Sequence, residues 1–128
     1  MRDFGIAAHA LAPDELARRP SDPALAWACF GGLSPWEVIA GGRKLVGLAK
    51  LRRQQGVLLT TGTLLQRPDW SLLCRALGRP DDDVARLDAA TTSCADQLGT
   101  SIHIETLADS LQQMLTDVLG DCEPENGS

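Results

Sequence analysis

Apolar positions recur with period two through the middle of the chain and at three- and four-residue spacing after it. Residues 36–40, WEVIA, alternate as a half-buried strand does. Gly41-Gly42 follows, a pair that takes up positive φ without steric cost and so predicts a tight hairpin turn. Residues 44–53 are the return strand, and Gln54-Gln55-Gly56 turns the chain again. Residues 57–65 are a third strand, in which Gly62 marks a bulge or the close approach of another group. Upstream, residues 6–11 predict a short strand. Residues 12–16 predict a short helix, with Pro13 in its first turn and Asp14 and Glu15 at its positive end. Residues 19–23 are a loop held open by two prolines. Residues 27–30, WACF, read as a further short apolar strand, broken by residues 31–35.

Past Arg67-Pro68 the period lengthens. Asp69 can cap a helix with Leu72, Leu73, Ala76 and Leu77 on its apolar side, ended by Gly78. Cys74 lies inside this helix as a small buried residue. Asp81-Asp82-Asp83 suits a helix N-terminus, opening a segment with Val84 and Leu87. Residues 89–92 are a small-residue linker, and residues 93–98 a short turn holding Cys94 and ended by Gly99. His103 then stands as the cap of a last helix over residues 104–119. There Leu107, Leu111, Met114, Leu115 and Val118 form an apolar stripe. Strands followed by helices indicate an α+β fold, about three to five antiparallel strands packed with C-terminal helices. Residues 1–120 make one domain and residues 121–128 a polar tail.

Composition is that of a globular domain, 44% hydrophobic and 23% charged. The net charge of −5 argues against nucleic acid as a partner, because a phosphate backbone needs a basic surface. Positive charge is nevertheless concentrated in Arg43, Lys44, Lys50, Arg52 and Arg53. That cluster is either a solvated strand face or a patch for an acidic partner or an anionic substrate group. Cys29, Cys74, Cys94 and Cys122 stand far apart with no CxxC pair, and only His9 and His103 could assist them. No metal site is expected from such spacing. No leader pattern or membrane-length apolar run is seen, so the expected compartment is the cytoplasm, with thiols reduced.

Two residues stand out chemically. Lys44 follows a double-glycine turn, where its ammonium is either simply exposed or placed to hold an acyl carbonyl or a phosphate oxygen. Gly47 and Gly62 would let a ligand approach the backbone. Cys29 precedes Gly31-Gly32 and is either a core cysteine or a partly exposed thiol, which a nearby ammonium would turn into a better nucleophile.

The segment GGRKLVGLAKLRRQQGVLL, residues 41–59, is the most specific part of a wider likeness over residues 25–120. It resembles the lipoate–protein ligase and octanoyltransferase family, whose catalytic domain is related to that of biotin ligases. The family pattern is a hairpin, then G-[RK]-K-[ILV]-x-G-x-[AS]-[QY], a basic turn and an apolar strand ending near a glycine. Here these positions are Gly42, Arg43, Lys44, Leu45, Gly47, Ala49, Lys50 and Gly62. The helices that follow match in order, as does Thr91-Thr92-Ser93.

The resemblance implies that Lys44 contacts the carbonyl region of a bound acyl group, and that Gly42, Arg43, Gly47, Ala49 and Gly62 line the substrate site. In octanoyltransferases of the family a cysteine at the Cys29 position forms a thioester with the acyl chain, and ATP-dependent ligases usually lack it. The resemblance therefore implies acyl transfer through Cys29, with an ATP-dependent lipoate–protein ligase using Lys44 but not Cys29 as the alternative within the family. The expected reaction is transfer of an octanoyl or lipoyl group from an acyl carrier protein to a lysine of a lipoyl domain. No cofactor is bound permanently, and ATP enters only if the chain is a ligase. A non-catalytic subunit binding an acidic carrier domain is the alternative from another class. Three departures stand out. The R-R-x-[ST]-G-G-G-x-V-x-H segment of the family's N-terminal half is absent, Lys50 replaces a common glutamine, and Thr60-Thr61-Gly62 stands where glutamine-histidine-glycine is common. The chain thus resembles the C-terminal half of the domain, with a complementary N-terminal half or subunit as an expected partner.

Overall fold

Four strands lie side by side in chain order in the computed structural model, which describes residues 4–19 and 22–120. They are β1 (Ala8–Ala10), β2 (Val38–Ala40), β3 (Arg43–Arg53) and β4 (Gly56–Thr63), each antiparallel to the next. Helix α1 (Pro13–Ala17) and a single 3-10 turn (Pro23–Leu25) fall between β1 and β2. Helices α2 (Trp70–Ala76), α3 (Asp81–Ala90), α4 (Cys94–Leu98) and α5 (Ile104–Leu119) follow the sheet. The α+β class read from the sequence is the class observed. The predicted polar tail lies outside the described residues, as do two residues of the predicted loop 19–23.

Local chemistry explains most boundaries. Gly41 and Gly42 carry φ of +59° and +77°, so both central turn positions are left-handed, as the twist of a two-residue hairpin requires. Asp69 accepts from the Leu72 amide and Ser93 from the Asp96 amide, capping α2 and α4. Gly99, at φ +70°, closes α4. His103 does occupy the N-cap position of α5, but its imidazole makes no capping hydrogen bond.

Val38 faces Val46 while Ile39 faces Lys44, so β3 holds one extra residue, Leu45, against β2. The irregularity is therefore there and not at Gly62, which pairs with Gly47 in an unbroken β3–β4 ladder. The extra residue lets two consecutive side chains, Leu45 and Val46, enter one core with Ile6, Ala40 and Cys94. A second core joins Leu25, Trp70, Cys74 and Leu87.

Four further readings of the sequence are corrected. Residues 27–30 are consecutive turns, not a strand. The Ala28 amide donates to Leu25 O and the Gly31 amide to Ala28 O, and Trp27, Ala28 and Phe30 all pack on the second core. The strand expected from Trp36 begins only at Val38, because Trp36 takes φ +69° and stands exposed. Helix α2 buries Trp70 and Cys74, leaving Leu72 and Leu77 outside. The linker expected over residues 89–92 is absent: Ala89 and Ala90 end α3, and residues 91–93 follow as an ordered segment. They are buried against the sheet, with the Thr92 amide donating to Lys44 O at 2.9 Å.

The outer part of β3 from Leu48 and nearly all of β4 are exposed, including Leu51, Leu58 and Leu59. The apolar stripe of α5 is present, but only Leu107 within it is buried.

Candidate functional site

The site is a loop held on a buried ion pair. The 3-10 turn at Pro23–Leu25 starts a run of tight turns that continues to Gly31. Trp27 and Phe30 anchor this run on the second core, and the Trp27 indole N–H donates to Asp83 at 3.1 Å. Between these two anchors Cys29 is exposed. Gly31 has no alternative here, because a Cβ on it would fall 2.2 Å from the Leu25 carbonyl oxygen.

Beneath the loop lies Lys44, only 3% exposed. Its ammonium donates to the main-chain oxygens of Cys29 at 2.9 Å and Gly32 at 2.8 Å. It pairs with the Glu37 carboxylate at 3.0 Å and sits 5.0 Å from the centre of the Phe30 ring. Glu37, also 3% exposed, accepts from the Ser34 amide at 2.8 Å and the Leu48 amide at 3.0 Å. A buried lysine is stable only with such partners, and every one of them is far from it in sequence.

Glu37 is the site residue that sequence reasoning missed. The signal was available, since Glu37 stands two positions before the buried Ile39 in the alternating WEVIA run, and a carboxylate on an apolar face needs a partner.

The other site residues separate into groups. Gly47 and Gly62 face each other across the ladder, and the Phe30 ring fills the space above both. A Cβ on Gly47 would lie 3.5 Å from that ring and 3.3 Å from Lys44 Cε, and one on Gly62 would lie 3.7 Å from the ring. Ala49 lies beside Cys29 in a shallow hollow of about 150 Å³, together with Phe30, Glu37, Gly47, Thr60 and Gly62. Gly42 and Lys44 line a larger cleft of about 450 Å³ with Leu25, Phe30, Gly31 and Gly32, rimmed by Arg18, Arg19 and Arg86. Phe30 stands between the two hollows, so Cys29 and Lys44 meet through the Cys29 main chain while lining different concavities. Arg43 is turned away from both and donates to the Asp88 carbonyl.

The basic cluster read from the sequence is therefore divided. Arg43 and Lys44 are engaged internally, while Lys50, Arg52 and Arg53 are exposed on outer β3. The rim arginines also have partners: Arg19 pairs with Glu15 at 3.3 Å and Arg86 with Asp22 at 3.8 Å. The His9 imidazole beside Glu15 holds that carboxyl below its usual range.

The thiols differ in environment. Burial pushes the Cys74 and Cys94 thiols up, which keeps them protonated and inert, whereas Cys29 is open to reagents. Among the described residues no group of three or more His, Cys, Asp or Glu side chains could hold a metal ion. No described helix is long and apolar enough to cross a membrane.

Two curated relatives match nearly the whole chain. Over 125 residues, 94% of its length, it is 32% identical to the octanoyltransferase LipM of Kyrpidia tusciae. Over the same share it is 31% identical to the octanoyltransferase LipM of Symbiobacterium thermophilum. The chain spans 45% of the length of each. No family model matches it, and no solved structure matches it.

Proposed function

Because the chain belongs to the lipoate–protein ligase and octanoyltransferase family, we propose that it carries the nucleophile of a protein acyltransferase of lipoate metabolism. Cys29 is that nucleophile. Its thiolate attacks the thioester carbonyl of an octanoyl-acyl carrier protein, the carrier's C–S bond breaks, and the carrier departs as a thiol after taking a proton. The amine of a lipoyl-domain lysine then attacks the new thioester, forming an amide and releasing Cys29.

The observation that carries this reading is an exposed thiol whose own carbonyl rests on a buried ammonium, in a chain whose other described cysteines are buried. The Lys44 ammonium holds the main chain of the reacting residue from beneath, with its charge offset by Glu37. An acyl carbonyl could reach the Lys44 ammonium by replacing the Gly32 or Cys29 oxygen there.

The chain acts as part of a larger catalytic unit. The exposed leucines of outer β3 and β4 and the open apolar face of α5 are surfaces that further polypeptide would cover, and the relatives are about twice as long. A complementary N-terminal half, joined or separate, supplies the rest of the pocket.

The test is intact-mass analysis. The chain joined to or mixed with such a half, and given octanoyl-carrier protein, gains one octanoyl group that hydroxylamine removes. Cys29→Ser gains none. An adduct that persists on the serine variant through another cysteine removes the assignment.

A further inference from the structure

A lysine ammonium has three N–H bonds, and three acceptors surround that of Lys44: Glu37 at 3.0 Å, Cys29 O at 2.9 Å and Gly32 O at 2.8 Å. Each donor therefore has an acceptor within the protein. Glu37 is matched as fully, because its two oxygens take the Lys44 ammonium and the amides of Ser34 and Leu48. It also reaches the hollow that Cys29 lines, where it is the one acidic or basic side chain besides the thiol.

We infer that Glu37 is the positioning residue of this site. It compensates the Lys44 charge and holds the ammonium under the carbonyls of Cys29 and Gly32. Those carbonyls are turned inward, and the thiol stays outward over the hollow. The charges beneath residue 29 are therefore a matched pair and not a bare cation. This rests on the reading of Cys29 as the nucleophile, but its consequence is measurable without acyl transfer. Removing the carboxylate leaves an uncompensated cation that favours the thiolate. Removing the ammonium leaves an anion that opposes it.

The experiment is the rate of iodoacetamide alkylation of the full chain at neutral pH, followed by mass spectrometry on the peptide carrying residue 29. Glu37→Gln is expected to raise the rate about three- to tenfold and Lys44→Met to lower it by a similar factor. The double variant should return to within about twofold of wild type, since it removes both charges. Both single variants moving in the same direction, as a merely loosened loop would make them, overturns the inference. So does an unchanged rate in both. Should Glu37→Gln not fold by circular dichroism, Glu37→Asp withdraws the carboxylate by one methylene. It must then react faster than wild type, and an equal or slower rate overturns the inference.

The two proposals fail separately. Opposite shifts without any octanoyl thioester remove acyl transfer and leave Glu37 in control of the thiol. A thioester that forms while the single variants shift together removes the role of Glu37 alone.

Discussion

Trp27 donates its indole N–H to Asp83 at 3.1 Å, across 56 positions of sequence. Asp83 is buried in the first turn of α3, so this bond adds a polar tie between the Cys29 loop and the helical layer to the packing of Trp27 and Phe30 on the second core. The Arg79 guanidinium closes over the same indole, 4.7 Å from the ring centre. Trp27→Phe keeps most of the packing and leaves a buried carboxylate short of one donor, an arrangement that costs about 1–3 kcal/mol. Denaturant unfolding should show that loss. A change under about 0.3 kcal/mol would mean that the bond contributes nothing to anchoring the loop.

Gly47 and Gly62 are cross-strand partners with different tolerances. An alanine Cβ at Gly47 would meet Lys44 Cε at 3.3 Å, and Lys44 cannot yield without leaving its three acceptors. Gly47→Ala should therefore cost about 1–3 kcal/mol as overpacking. At Gly62 the nearest atom lies at an ordinary 3.7 Å. Gly62→Ala should be neutral, or stabilising by about 0.5–1 kcal/mol through the unfolded state. Equal effects at the two positions would contradict the geometry.

Alkaline stability should report the buried thiols. Burial raises the Cys74 and Cys94 thiols above their ordinary values, so the folded chain keeps protons that the unfolded chain gives up. Their contribution is complete below the unfolded thiol value of about 8.5 and is lost as pH rises toward the folded values. A Cys74→Ala/Cys94→Ala variant should be less stable at neutral pH, yet lose less stability than wild type between neutral and alkaline pH. Parallel stability curves would remove the thiols from the alkaline behaviour.

Lys50, Arg52 and Arg53 are the exposed remainder of the basic cluster, on the outer half of β3. If an acidic carrier docks there, reversing all three to glutamate should weaken its binding by at least about tenfold at low salt. The wild-type affinity should fall with ionic strength while that of the variant changes little. Isothermal titration against the carrier at two salt concentrations measures both effects. Salt-independent wild-type binding would place the carrier elsewhere.

Elements set by neighbouring residues were legible in the sequence. The Gly41-Gly42 hairpin, the Asp69 cap and the Gly99 stop each follow from backbone chemistry within a few positions. The sequence pattern and the family likeness singled out Cys29 and Lys44, but not that the two meet through the Cys29 main-chain oxygen while lining different hollows. What depended on distant partners was not legible. Residues 27–30 form an apolar run that fits a strand or a set of turns packed on a core, and the core at Leu25 and Leu87 selects the turns. In α2 the leucine side and the Trp70–Cys74 side both have helical spacing. The second core takes the latter. Lys44 is buried because its three acceptors come from residues 29, 32 and 37, and no local rule brings them together.

The extra residue at Leu45 reaches well beyond the β2–β3 pairing. Side chains on a strand change sides at every step, so inserting one residue exchanges the sides of everything after it. Lys44 and Gly47, an odd number of positions apart, meet on one side of the sheet as a result. Deleting Leu45 would shorten the strand by one link and send the glycine, Ala49 and their cross-strand partners to the far side from the cysteine. The ammonium would keep its place and lose the floor beside it. A single codon thus sets which side of the sheet the site is built on.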